Sequence, residues 1–269
     1  TYLKPMRKDF VLPINDSEKI NVSAFGDSNE SSNPCIILVH GFKGFKDWGF
    51  FPYTAEYLSQ QGFFVLSFNF SHNGIGQNFL EFTELDKFAK NTFSRELFEL
   101  DFLIQKYLSG YFRNVQNKEI GLIGHSRGGA ISLLTAKAID EVSAVVVWAS
   151  VSKLDRYSER QKDNWHKKGT FDILNMRTKQ VMSLNVSLLE DIETNNNTTL
   201  NLKLAIENLN KPFLIVHGEQ DLTVKVKEAK QLYDWSDKTK TELFIVPKTG
   251  HTFDIKHPFE NSNYKFDSL

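Results

Sequence analysis

Six short apolar runs recur along the 269-residue chain: CIILVHG (35–41), FFVLSFNF (63–70), EIGLIGHS (119–126), SAVVVWAS (143–150), FLIVHGEQD (213–221) and ELFIVP (242–247). They are nearly continuous rather than alternating apolar and polar, which is the pattern of parallel strands covered on both faces. Helical patterns lie between them: FPYTAEYLSQQG ending on Gly62, NTFSRELFELDFLIQKYLSG ending on Gly110, GGAISLLTAKAID, and VKVKEAKQLYDW. This alternation predicts an α/β fold, a sheet with helices on both faces. Upstream, KDFVLPI and KINVSAFGD read as an antiparallel pair at one edge, giving a mostly parallel sheet of about eight strands.

One segment breaks the alternation. From about Lys153 to Asn208, between the runs at 143–150 and 213–221, the chain is too long for a plain connection and mixes charge with Tyr157, Trp165 and Phe171. It predicts a small helical cap, at about 153–208, inserted after the sixth strand. No fixed-period repeat and no Pro- or Gly/Ser-rich linker divides the chain, so residues 1–269 are expected to form one domain carrying that cap.

Composition limits the partners. A 41% hydrophobic fraction supports a sizeable core, while a net charge of −1 and a pI of about 6.6 supply no basic field for nucleic acid. No apolar run approaches the roughly 20 residues that span a bilayer, so no membrane span is expected. The single cysteine, Cys35, opens an apolar run as a small hydrophobe. One cysteine cannot form an internal disulfide, which favours a reducing, cytoplasmic compartment, although a removed signal peptide would leave no trace in these residues. Nothing here sets an oligomeric state.

The chemistry concentrates around IGHSRGGA (123–130). Gly-x-Ser-x-Gly between a strand and a helix is a nucleophile elbow: Ser126 takes a strained turn, and Gly124 and Gly128 let strand and helix approach. A serine hydroxyl is a weak nucleophile, so it needs a base in hydrogen-bond reach and a third group to orient that base. Asp221 follows the strand FLIVHG and His251 follows ELFIVP, so both sit beyond the carboxyl end of a strand, where open α/β sheets place their sites. Glu219 is the rival acid. His257 is the rival base, but no strand feeds it; His125 and His217 read as local structural groups. The oxyanion of an acyl transfer would be held by the backbone N–H of Arg127, next to the nucleophile, and by that of Phe42 in VHGFKGF. HGFKGFK lacks the ending of a phosphate loop, GIG at 74–76 lacks a third glycine, and neither His-Glu-x-x-His nor Cys-x-x-Cys occurs, so no cofactor and no metal is implied.

HGFKGF, GHSRGG, HGEQD and GHTF, spread from about Ile20 to His257, resemble the α/β-hydrolase superfamily. Within it they are similar to compact serine esterases, including cinnamoyl (feruloyl) esterases, and to prolyl-oligopeptidase-type peptidases. The resemblance implies an acyl-enzyme mechanism on a small-molecule carboxylic ester, with Ser126, Asp221 and His251 in the expected chain order. A peptidase, and a non-catalytic binding protein on the same fold, are the alternatives. Two departures stand out. The loop at 71–76 reads Ser-His-Asn-Gly-Ile-Gly instead of the commoner Asp-x-x-Gly-x-Gly, and the chain ends soon after KHPFENSNYKFDSL, where such hydrolases run through a longer final helix. Trp148, Trp165 and Phe171 are the candidates for housing an aromatic or medium-length acyl group.

Overall fold

The computed structural model describes residues 7–78 and 81–269. In chain order it contains β1 (Arg7–Pro13), β2 (Lys19–Phe25), β3 (Cys35–Val39), α1 (Phe50–Gln60), β4 (Phe64–Phe68), α2 (Leu85–Ala89), α3 (Phe93–Leu108), β5 (Ile120–His125), α4 (Arg127–Ala138) and β6 (Val142–Trp148). An insertion follows, with α5 (Glu159–Lys168), β7 (Thr170–Leu174), β8 (Val181–Asn185), α6 (Val186–Asn195) and α7 (Leu202–Glu207). The chain returns through β9 (Phe213–Gly218), α8 (Val226–Trp235) and β10 (Thr241–Val246).

Eight strands form one sheet in the order β1-β2-β4-β3-β5-β6-β9-β10. β2 runs antiparallel to both β1 and β4, and every pairing from β4 to β10 is parallel. All six continuous apolar runs became strands of this sheet, and β3 and β4 are buried along their whole length. Side chains alternate across a strand, so each of these strands feeds two cores. Cys35, Ile37 and Val39 pack towards α3 and α4, in the core that also takes Leu100, Leu103, Ile131 and Leu232. Ile36 and Leu38 face the other way, joining Phe50, Phe51 and Ala55 of α1. Residues after β10 form turns rather than an α-helix, and Phe253, Ile255 and Phe266 from this stretch complete the α1-side core.

The insertion after β6 contains more than helices. β7 and β8 pair antiparallel, from Thr170↔Asn185 to Leu174↔Val181. Ser158 and Gln161 form a capping box at the start of α5, and Gly169 closes that helix in the left-handed conformation at φ 75°. Trp165 is fully buried; its indole N–H donates to the Leu184 carbonyl at 3.0 Å, and its ring meets Tyr157 at 5.0 Å and Phe171 at 5.2 Å. Helix, hairpin and preceding loop are thereby fastened to one another.

The strand–helix junction at the head of α4 is packed to backbone contact. A Cβ on Gly128 would lie 2.5 Å from the His40 carbonyl oxygen and closer still to that of Val39. Both obstacles are backbone, so β3 and α4 would have to separate to admit it. Gly128→Ala is expected to cost about 1–3 kcal/mol of stability, the usual range for overpacking. Urea denaturation reads this directly, and an unchanged midpoint would mean that the β3–α4 contact yields freely.

Candidate active site

β5 ends in Ser126, which adopts φ 57° and ψ −122° before α4 begins at Arg127. This left-handed geometry is costly for a residue with a Cβ and persists because its surroundings fix it. The Ser126 N–H donates to the Trp148 carbonyl at 2.8 Å, and the Ser126 carbonyl accepts from Gly129 N–H at 3.0 Å. Gly41, in the loop after β3, passes so near that a Cβ there would lie 2.9 Å from the Ser126 Cβ. The loop carrying Phe42 is therefore pressed against the serine. Among the described residues, neither the Phe42 nor the Arg127 backbone N–H has a main-chain or side-chain acceptor.

Asp221 and His251 come together at the far side of the same turn. His251 Nδ1–H donates to Asp221 Oδ2 at 2.7 Å, and Asp221 Oδ1 accepts from the Thr223 and Val224 N–H groups at 2.8 and 2.9 Å. Burial works to raise the Asp221 carboxyl, but hydrogen bonding from His217 and His251, with the Val224 N–H, outweighs it and holds the group well below the usual carboxylate range. The carboxylate therefore stays ionised beside the imidazole. With Nδ1 committed to Asp221, Nε2 is the nitrogen left for the serine, and Ser126 and His251 line one cavity of about 290 Å³. The rivals point elsewhere: Glu219 accepts from the Lys248 N–H at 3.0 Å, and His257 Nδ1 accepts from the Gly49 N–H at 3.0 Å.

Two buried histidines support this pair. His125 Nε2 donates to the His251 carbonyl at 2.9 Å, and its ring centroid lies 4.7 Å from that of His251. Burial and the neighbouring His251 push its value down to about 3, so it stays neutral. His217 Nε2 donates to the Val224 carbonyl at 2.8 Å and lies 3.4 Å from Asp221 Oδ2. These supporting roles leave no sequence signal, because each histidine looks like an ordinary strand-end residue.

The stretch after β4, Asn69 and Phe70 with Asn73 of the unusual loop at 71–76, props the loop that carries Phe42. Asn69 Oδ1 accepts from the Lys46 N–H at 2.7 Å, Asn73 Nδ2 reaches the Gly44 carbonyl at 3.4 Å, and Phe70 N–H donates to His40 Nε2 at 3.2 Å. That last bond places the His40 proton on Nδ1, which donates to the Gly41 carbonyl at 2.9 Å. Ser71 is tied in turn to Glu99 of α3: its N–H donates to Oε2 at 2.8 Å and its hydroxyl to Oε1.

The predicted acyl-housing residues lie elsewhere, which corrects the sequence reading. Trp148 is the last residue of β6 and points to the α1 face, with Phe50 and Phe266 each at 5.5 Å in edge-on contact. Trp165 and Phe171 pack with Tyr157 inside the insertion, in a core continuous with that of α3 and α4. None of the three lines the Ser126 cavity, whose apolar wall is built from Phe42, Trp48, Phe51 and Met176. Strand parity decides the case of Trp148: one residue's shift along β6 would have turned it to the other face.

Burial, outweighing the two bonds from Ser71, pushes the Glu99 carboxyl up to about 7. The folded-state value is above the ordinary one, so the protonated form is favoured by folding. That contribution is complete below about pH 4.5 and is lost as pH rises through about 7. Glu99→Gln keeps an acceptor and a donor for Ser71 without the charge. Its stability relative to wild type should rise by about 1–3 kcal/mol between pH 4.5 and 8 in paired denaturation curves. A difference independent of pH would show that Glu99 titrates at its ordinary value.

Comparison with known proteins agrees with this fold. Residues 106–260 match the family described as BAAT / Acyl-CoA thioester hydrolase C terminal, and residues 21–177 match the Dienelactone hydrolase family. No curated protein sequence matches the chain. Among solved structures, the α/β hydrolase GrgF from Penicillium sp. sh18 superposes with a TM-score of 0.71 at 16% identity, covering 91% of each chain. Est1E from Butyrivibrio proteoclasticus, solved with ferulic acid bound, superposes with a TM-score of 0.70 at 18% identity, covering 91% of this chain and 92% of that one. The esterase domain from a Rhodothermus marinus protein gives 0.60 at 19% identity, covering 93% of this chain and 91% of that one. Each family match spans more than half of the sequence, and with the sheet order they establish that the chain belongs to the α/β-hydrolase superfamily.

Proposed function

We propose that the protein hydrolyses carboxylic esters through an acyl-enzyme formed on Ser126. The observation that carries this reading is the 2.7 Å bond between His251 Nδ1 and Asp221, with His251 and the strained Ser126 on one cavity. His251 Nε2 takes the Ser126 hydroxyl proton as Oγ attacks the ester carbonyl. The Phe42 and Arg127 N–H groups hold the oxyanion, and the N-terminus of α4 adds its positive dipole end. Asp221 stabilises the imidazolium, which then protonates the departing alcohol. Water, deprotonated by the same imidazole, attacks the acyl-enzyme and releases the acid and the free serine.

The insertion over 153–208 acts as a cap on the catalytic domain. Through Met176 and Arg177, in the turn between β7 and β8, it contributes to the cavity wall. Aryl and short-to-medium acyl esters suit a cavity of this volume and apolar lining, and ferulic acid bound to Est1E is consistent with that class. The match to the acyl-CoA thioester hydrolase family makes thioesters the second substrate class, cleaved by the same residues.

Release of p-nitrophenol from acetate to octanoate esters, and of ferulate from methyl ferulate, tests the reading; an acyl-thioester series run alongside separates the two classes. Ser126→Ala and Asp221→Asn should each lower kcat by about 10⁴, with the fold retained by circular dichroism. Turnover that survived Ser126→Ala would assign the chemistry to other residues.

A further inference from the structure

Charge around the Ser126 cavity is one-sided. Lys43 projects from the loop after β3 and Arg177 from the turn between β7 and β8, and both line the cavity. No Asp or Glu does. Among the described residues neither cation forms an ion pair or a side-chain hydrogen bond. Both instead rest near aromatic rings: Lys43 Nζ is 5.6 Å from the Phe42 centroid, and the Arg177 guanidinium carbon is 5.6 Å from those of Phe45 and Phe82. The nearby Asp47 is already engaged by Arg7 at 2.9 Å and Lys46 at 2.5 Å.

Two like charges brought to one opening repel each other, and burial together with the Arg177 charge pushes the Lys43 ammonium below its ordinary value. The turn bearing Arg177 is itself fixed. Asn175 is buried, its Oδ1 accepts from the Arg177 N–H at 3.1 Å, and its carbonyl accepts from the Lys179 N–H at 2.7 Å. Arg177 is thus held in place, and among the described residues neither cation has a counter-charge.

We propose that the preferred substrate carries an anionic group, a carboxylate or a phosphate, which Lys43 and Arg177 hold at the mouth of the cavity while the ester lies over Ser126. This rests on the ester-hydrolase reading and narrows it to charged esters. The anion completes the ion pairs that the protein leaves open, and the guanidinium can meet a planar carboxylate with two parallel N–H donors.

The test compares kcat/KM for matched esters that differ in charge. p-Nitrophenyl hydrogen glutarate against p-nitrophenyl butyrate places the charge on the acyl side. p-Acetoxybenzoate against its methyl ester places it on the alcohol side. In wild type, one anionic member should be favoured by about tenfold at low salt, and the preference should shrink at about 0.5 M salt. Arg177→Gln should bring that ratio near one, and Arg177→Glu should favour the neutral ester. Because the readout is a ratio within each variant, a loss of folded protein does not move it. Equal use of neutral and anionic esters by wild type, or a preference untouched by Arg177→Glu, would overturn the proposal and leave the ester hydrolase standing. Hydrolysis of no ester, or turnover that Ser126→Ala does not reduce, would overturn the underlying reading and this one with it.

Discussion

Ser126 holds φ 57° with a side chain attached, a geometry that costs of order 1–3 kcal/mol and that only a fully determined environment retains. Three backbone elements converge to determine it: β5 feeds the turn, the end of β6 takes its N–H, and α4 leaves from it. The loop after β3 then closes over the top, where Gly41 leaves no room for a Cβ. Once the turn exists, much of the site follows. The serine leaves the sheet, the Arg127 N–H points where helix α4 has no carbonyl to satisfy it, and the Phe42 loop lies alongside.

Charge is sorted about that turn with equal economy. Arg127 follows Ser126, yet its guanidinium is turned away to the buried Glu96 at 2.6 Å, over the rings of Phe42 at 4.6 Å and Phe93 at 5.4 Å. Burial works to raise Glu96, while the Arg127 charge and Asn91 work the other way. Arg127 thus offers the site a backbone donor and keeps its charge elsewhere. The same clamp ties the head of α4 to the loop after β3, since the Arg127 guanidinium rests on the Phe42 ring. Asp221 is the only carboxylate bonded to His251 among the described residues, and it is saturated by donors. Buried His40 and His125 are kept neutral, so the charged side chains lining the Ser126 cavity are Lys43 and Arg177 among the described residues.

Continuous apolar runs flanked by glycines announced the sheet, because a strand covered on both faces has no polar positions to spare. Ser126, Asp221 and His251 could be picked out because each lies just past such a run, where a side chain has no packing duty. What the sequence hid was direction. Trp148 stands next to the strand that ends in Ser126, yet the two-residue period sends it to the α1 core. The hairpin β7–β8 was hidden by its own surface: Asp172 and Ser183 hydrogen-bond to each other on the exposed face, so TFDIL and VMSLN did not read as strands within a charged segment. His125 and His217 act through backbone carbonyls that only the folded chain brings near.

The aromatic residues of the insertion show why its role is easily misread. Tyr157, Trp165 and Phe171 suggest a pocket for an aromatic ligand, but Trp165 is sealed and its N–H is spent on Leu184. These three rings pack on one another and continue, into the insertion, the core on the α3 and α4 side of the sheet. That core anchors the hairpin at its base, near Phe171 and Leu184, while the turn at 175–177 extends to the cavity. Residues at the tip can therefore change without disturbing the packing that holds the hairpin. The side chains that this turn brings to the cavity are accordingly those of Met176 and Arg177, and the conspicuous aromatic cluster behind them fastens the hairpin that carries the turn.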